Sequence, residues 1–358
     1  MTSQNTNYPT ASVPVITDPA VLFQAMLTSF NQRLETIGEL IMPGVPAMAE
    51  YYRHRIGSLF DSLAIPFPEA ERNQLYQILN KKLEEGFALS PHARLRLKYH
   101  PADPPKTGLT FEFSVFVLSD IEEYQEWMNQ NEQPWFGMTP DAKVLDIAQL
   151  IEDPQTASVL DIGAATGRNT LALAQRGHPV DALELVAPYC DRLQEIVEQT
   201  GLPVTVTPGD IFDPLVRMPL GQYQLAIATE TLPLFCFDGD RLRLFLVKMC
   251  DVLQTGGSLL FSLFLAAVDY EPDLVTRQMS QVNWSCLFTR SDLANAMAGL
   301  PLELIFEESW VNYEQTHRPQ ETWPPHESFV NWATGRELLL TPPDQIAMEL
   351  RWILCKRL

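Results

Sequence analysis

The chain has 358 residues, 46% hydrophobic and 20% charged, which is enough for one large or two ordinary domains with real cores and excludes wholesale disorder. Its formal charge of −20 excludes a general binder of nucleic acid or anionic membrane, since both require clustered lysine and arginine. Five scattered cysteines (Cys190, Cys236, Cys250, Cys286, Cys355) without C-x-x-C spacing fit free thiols better than a disulfide framework or a metal site, and neither a leader pattern nor a bilayer-length apolar run is present, so a cytoplasmic chain without membrane association is expected.

Residues 1–17 read as a flexible polar tail. From Asp18 and Pro19, a capped start, Val21, Leu22, Ala25, Leu27, Phe30, Leu34, Ile37 and Leu40 recur at helical spacing and predict one helix to about Leu40. Further helical patterns cover about Val45 to Leu63 and Glu69 to Glu85. Arg94 to Tyr99 and Leu109 to Leu118 alternate in the strand manner around a Pro-Ala-Asp-Pro-Pro-Lys-Thr-Gly turn, which predicts a β-hairpin. A helix from Ser119 to about Asn129 then leads to a break at Glu132 to Gly137, where Trp135 and Phe136 either line the mouth of a site or anchor a linker. Residues 18–138 are thus expected to form a mainly helical N-terminal domain with a hairpin, serving substrate selection or oligomerisation, and 139–358 a second domain.

Asp141 to Leu150 reads as a helix; it contains Val-Leu-Asp-Ile, but Ala148 and Gln149 follow where a ligand loop would need glycine. Val159 to Glu184, VLDIGAATGRNTLALAQRGHPVDALE, reads instead as strand, glycine loop, helix and strand, the opening of a parallel α/β nucleotide-binding sheet. A dinucleotide fingerprint, G-x-G-x-x-G, would need glycine at Ala165 and Arg168, and an arginine is a poor fit where helix and strand pack closely. What remains, Asp161-x-Gly163-x-Ala165-x-Gly167, resembles motif I of the class I S-adenosylmethionine (SAM) methyltransferases with one glycine replaced by alanine. The stretch GRNTLALAQRGHPVDALE is particularly similar to the tellurite-resistance branch of that family, which does not by itself imply a tellurite substrate.

Downstream, a helix from about Pro188 to Gln199, a strand from Val204 to Thr207, and Gly209-Asp210-Ile211 follow. Strand Tyr223 to Ala228 leads into Thr229-Glu230-Thr231, and a helix from Asp240 to Leu253, a turn at Gln254 to Gly257 and strand Ser258 to Leu265 complete the fifth β unit. A helix begins near Ser291; Leu302 to Glu308 and Leu350 to Lys356 read as the sixth and seventh strands. The insertion between them, with Tyr313, His317, Trp323, His326 and Trp332, reads as a long lid-like loop in which either histidine is a candidate base or a surface residue.

The resemblance covers about residues 139–358 and implies a Rossmann-like seven-stranded α/β sheet with helices on both faces. It implies SAM as cofactor, held by Asp161, Gly163, Ala164, Gly167, Glu184, Leu185, Asp210, Ile211 and Thr229. Asp161 would orient the tail ammonium, Glu184 both ribose hydroxyls, and Asp210 with Ile211 the adenine, although Gly-Asp is also an ordinary turn. Glu230, where an open α/β sheet binds ligands, is the candidate catalytic residue, orienting the acceptor or taking its proton, or else simply caps the next helix. The expected activity is methyl transfer to an O, N or S atom of a small molecule without a metal. A protein methyltransferase acting on a side-chain amide or amine, and a catalytically silent SAM binder, are the alternatives.

Overall fold

Short β-branched and leucine-rich runs whose successive side chains enter cores on opposite faces build the central sheet. In β4 (Val159–Ile162), Leu160 and Ile162 pack into one core while Val159 packs into another on the opposite face. Strands buried on both faces in this way need helices above and below. The structure, a computed structural model, describes residues 15–31, 37–63, 67–102, 108–117, 122, 136–326, 328–342 and 345–358.

The N-terminal part contains α1 (Pro19–Asn31), β1 (Gly38–Pro43), α2 (Ala49–Ser62), α3 (Glu69–Leu89), β2 (Arg94–Pro101) and β3 (Leu109–Phe116). Leu75, Leu79 and Leu83 at helical spacing on α3 meet Leu95, Leu97 and Phe113 of the strands in a core of their own. The sheet corrects two expectations. The helix starting at Pro19, described over Pro19–Asn31, does not continue to Leu40, because residues 38–43 form a third strand that pairs antiparallel with β2 along Leu40↔Leu97 and Met42↔Leu95. The hairpin is therefore part of a three-stranded sheet. The expected helix at Ser119 to Asn129 lies outside the described residues apart from position 122, and Trp135 lies wholly outside them.

The remainder contains α4 (Ala142–Gln149), β4, α5 (Arg168–Gln175), β5 (Val180–Glu184), α6 (Ala187–Thr200), β6 (Val204–Pro208), β7 (Tyr223–Ala228), α7 (Thr231–Phe235), α8 (Gly239–Val252), β8 (Leu253–Ala266), α9 (Leu274–Val282), β9 (Leu287–Phe288), α10 (Arg290–Met297), β10 (Leu302–Ser309), α11 (Trp310–His317), α12 (Phe329–Ala333), α13 (Arg336–Leu339) and β11 (Met348–Arg357). The sheet order is β10-β11-β8-β7-β4-β5-β6, with the two-residue β9 pairing beside β8. Strands β4 to β8 run parallel, and β11 is antiparallel to both β8 and β10. This is the Rossmann-like class I methyltransferase arrangement, with the chain winding outward from β4 in both directions. The carboxyl ends of β4 and β7 therefore border the crevice where such sheets bind ligands.

The segment between β10 and β11 is not the expected lid-like loop. Trp310, Phe329 and Trp332 are almost fully buried, so the insertion forms a helical layer over one sheet face. The expected turn at 254–257 lies within the continuous span of β8, with Gly256 at φ +79°. All five cysteines are buried. Among the described residues, no helix is long and apolar enough to cross a membrane.

Candidate active site

Two strand ends meet at the glycine loop. Gly163 adopts φ +74°, and a Cβ there would lie 2.1 Å from Thr231 Oγ1, the hydroxyl that donates to Ile162 O at 2.9 Å. Glycine is required because the end of β4 and the start of α7 leave no room for a side chain. Gly167 (φ +83°) caps α5, and its missing Cβ makes way for Leu193 of α6, 2.5 Å from where that atom would sit. It shapes the loop from behind and does not line the cleft, unlike the other residues of the proposed cofactor set. Ala165 is left-handed at φ +47°, the conformation that a glycine in this place would adopt without strain.

Glu184, at the carboxyl end of β5, is buried and fastened by the loop it serves: Ala165 N–H donates to Oε2 and Val186 N–H to Oε1, each at 2.7 Å. Burial raises its pKa while these amides pull it down, so the carboxylate is fixed in direction yet keeps lone pairs for further donors. Asp161 is buried beneath the loop and accepts from Thr170 Oγ1 at 2.5 Å. Desolvation raises its pKa to about 6 against the opposing pull of Thr170 and Arg168.

A cleft of about 900 Å³, counting its open mouth, is walled by Asp161, Gly163, Ala164, Glu184, Leu185, Asp210, Ile211, Thr229 and Glu230. Phe136 also lines it and packs edge-on against Phe329, so it both walls the cleft and anchors the segment. Asp210 Oδ1 accepts from Phe212 N–H at 2.8 Å, a turn contact that orients the carboxylate beside Ile211. Lys248 Nζ gathers the same loop by donating to the carbonyls of Ile211, Asp213 and Val216 at 2.7, 2.5 and 3.2 Å. The two candidate histidines lie away from the cleft wall: His317 stacks on Tyr313, and His326 Nδ1 bonds Ser328 Oγ.

Glu230 occupies the cap position of α7 at φ +54°, but its side chain makes no capping hydrogen bond. Its N–H donates to Ser262 Oγ at 2.8 Å and one oxygen, Oε2, pairs with Arg168; the other, Oε1, is buried without a partner. Behind it lies a charged cluster that sequence reading does not find. Arg168 also donates to Asp141 at 2.5 Å, Arg318 pairs with both Asp141 and Glu314, and Asn169 bridges Asp141 to Thr229 at 2.9 and 3.1 Å. Glu314 in turn accepts from the N–H groups of Ala142 and Lys143, tying α11 to the start of α4. Burial raises Asp141, but the two guanidinium groups prevail and hold it below the ordinary carboxylate value, whereas burial prevails at Glu230 and raises it to about 7. The signal available in the sequence was a Gly-Arg-Asn helix start in an otherwise apolar helix.

Residues 159–257 match the family model described as a methyltransferase domain. Residues 159–257 carry a methyltransferase domain, with S-adenosylmethionine as its cofactor. Similar solved structures include the geranyl diphosphate C-methyltransferase from Streptomyces coelicolor A3(2), in complex with Mg²⁺, geranyl diphosphate and S-adenosyl-L-homocysteine. It is 13% identical with a TM-score of 0.48, over 68% of this chain and 100% of that one. The [4+2]-cyclase SpnF is 13% identical with a TM-score of 0.41, over 60% of this chain and 80% of that one. Comparison with curated proteins returns no match. For the methyltransferase domain the donor set fits SAM: a buried, prealigned carboxylate at Glu184, a glycine turn at Gly163 and an acid at Asp161 share one cleft.

Proposed function

We propose that the chain transfers a methyl group from SAM to a nucleophilic O, N or S atom of a small-molecule acceptor. The observation that carries this reading is Glu184, a buried carboxylate held by two backbone amides in the wall of the cleft. Bound SAM supplies an electrophilic methyl group, so the protein's part is alignment and an unprotonated nucleophile. In this reading Glu184 accepts from the ribose hydroxyls, Asp161 orients the tail ammonium, Ala164 and Leu185 wall the sugar, and Asp210 with Ile211 holds the adenine. Gly167 acts through the shape of the loop, and Thr229 borders the tail beside Asn169.

Glu230 faces the acceptor. Arg168 and Asn169 provide a physical reading of the Gly-Arg-Asn resemblance to the tellurite-resistance branch: they lock the ends of β4 and β7 to Asp141. The N-terminal part, attached through the stack of His92 on Trp284, serves acceptor choice.

Isothermal titration with SAM and with NAD tests the cofactor. Micromolar SAM binding with no NAD binding supports the reading, and the reverse result removes it. Incubation of the chain with methyl-labelled SAM and size-fractionated cell extract tests the acceptor: label in small molecules is expected. Label in macromolecules points to a protein acceptor, and absence of label to a silent SAM binder.

A further inference from the structure

We propose that the acceptor is an amine, bound as its ammonium ion by the unpartnered oxygen of Glu230 in the wall of the cleft. The inference rests on the methyltransferase reading and names the substrate class of that same site.

Three observations lead to it. The first is charge balance: the buried cluster holds three carboxylates, Asp141, Glu230 and Glu314, against two guanidinium groups, Arg168 and Arg318, and so carries one surplus negative charge when all are ionised. Buried charge of this kind requires a partner. The second is address. Glu230 is 3% exposed and lines the cleft, and its Oε1 lacks a donor; the cluster's other unpartnered atom, Arg318 Nη1, belongs to a residue outside the cleft wall. Because Oε1 is itself closed to solvent, a ligand in the cleft completes Glu230 by displacing the side chains that cover that oxygen.

The third is the wall itself. Among the described residues lining it, four are carboxylates (Asp161, Glu184, Asp210 and Glu230), and the single cation, Arg168, is already committed to Asp141 and Glu230. No lysine or histidine stands among them to receive a phosphate or carboxylate. Phe136, Leu234 and Phe235 add apolar surface to the same wall, so the group attached to the nitrogen is expected to be apolar.

The carboxylate has a chemical task beyond binding, because an ammonium nitrogen has no lone pair. One N–H proton passes to Glu230 Oε1, leaving the amine neutral. Its lone pair forms the new N–C bond while the C–S bond breaks and leaves its electron pair on sulfur, and the proton held by Glu230 then departs to water. The pKa of Glu230, raised to about 7 by burial, suits a group that takes and returns a proton near neutrality.

The test uses the full chain saturated with S-adenosylhomocysteine and three probes that share one ring: benzylamine, benzyl alcohol and benzoate, titrated by calorimetry at about pH 8, where Glu230 is ionised. Benzylamine is expected to bind about tenfold more tightly than benzyl alcohol, with benzoate weakest, as a charge-assisted hydrogen bond in a dry site predicts. Glu230→Gln should abolish that preference while leaving S-adenosylhomocysteine affinity within about threefold. Equal binding of the probes, a preference for benzoate, or no binding of any of them overturns the proposal. So does a Glu230→Gln variant that keeps the preference, or one that loses S-adenosylhomocysteine about tenfold, which would assign Glu230 to the cofactor. The wild-type probe series needs no variant to fold, and failure of the wild-type chain to bind S-adenosylhomocysteine counts against the cofactor reading instead.

Discussion

Asp161 and Glu184 show how single residues of the cleft trade stability for recognition. Asp161 is 2% exposed and its pKa rises from 3.8 to about 6, so the folded chain binds a proton there more tightly than the unfolded chain does. Its contribution to stability is complete below the unfolded value and is lost as pH rises through about 6, leaving a cost of about 3 kcal/mol at neutral pH. Asp161→Asn is therefore expected to stabilise the ligand-free chain by about 1–3 kcal/mol at pH 8 and hardly at all near pH 4. Urea unfolding of wild type and variant at the two pH values checks this, and an equal effect at both would remove the buried-charge explanation. Glu184→Ala removes the acceptor proposed for the ribose hydroxyls and should weaken SAM binding by about 1–3 kcal/mol, read by calorimetric titration. An unchanged affinity would remove its role. The places of both residues were legible in the sequence, Asp161 in the strand before the glycine loop and Glu184 at the end of the next one. The cluster behind Glu230 was not, since Asp141 meets Asn169 across 28 positions and Arg318 across 177, and no local pattern encodes such partners.

At the level of elements, legibility followed the length and regularity of the hydrophobic pattern. The parallel strands and α8 were readable because their periodicity persists over several residues. Residues 38–43 were not, because Ile37 and Leu40 prolong the helical spacing of α1, and only pairing with β2 makes the segment a strand. The five-residue α12 and four-residue α13 are too short to hold a helix by propensity; α12 owes its form to the burial of Phe329 and Trp332, and α13 packs Leu338 and Leu339, partly buried, against the same core. The loop after β6 shows the converse, an element without regular structure held by the turn bonds of Asp210 and Asp213 and by one lysine from outside. Lys248 crosses from α8 to three carbonyls of residues 211–216, and it is the clasp on the wall proposed for adenine. Lys248→Met should raise amide exchange in residues 211–216 and weaken SAM binding by about 1–2 kcal/mol, with Lys248→Arg restoring part of it. Exchange and affinity that both match wild type would show that the loop holds its shape without the clasp.

In the whole molecule, the cores divide along the sequence. Among the described residues, one contains Met42 to Phe113, and the others draw on Phe136 and later residues. The contacts between the two parts include the His92–Trp284 stack, with ring centroids 3.7 Å apart, and Ala47 N–H donating to Gln278 Oε1 at 2.8 Å. We propose that they are separate folding units joined by this narrow contact, the first ending near residue 138. Leu79 is fully buried in the first core, so Leu79→Ala should cost that unit about 2–5 kcal/mol. Five of the seven tryptophans, at positions 284, 310, 323, 332 and 352, lie beyond residue 138, so in a Trp127→Phe/Trp135→Phe background the fluorescence reports the methyltransferase part. Under urea, far-ultraviolet circular dichroism of Leu79→Ala should gain an early transition, while the tryptophan transition keeps its stability within about 0.5 kcal/mol of wild type. SAM affinity should hold within about twofold, because the cofactor wall proposed here draws only on residues outside the damaged core. If the tryptophan transition moves by the full cost of the cavity, the stack on Trp284 transmits folding energy between the parts, and the chain unfolds as one cooperative body.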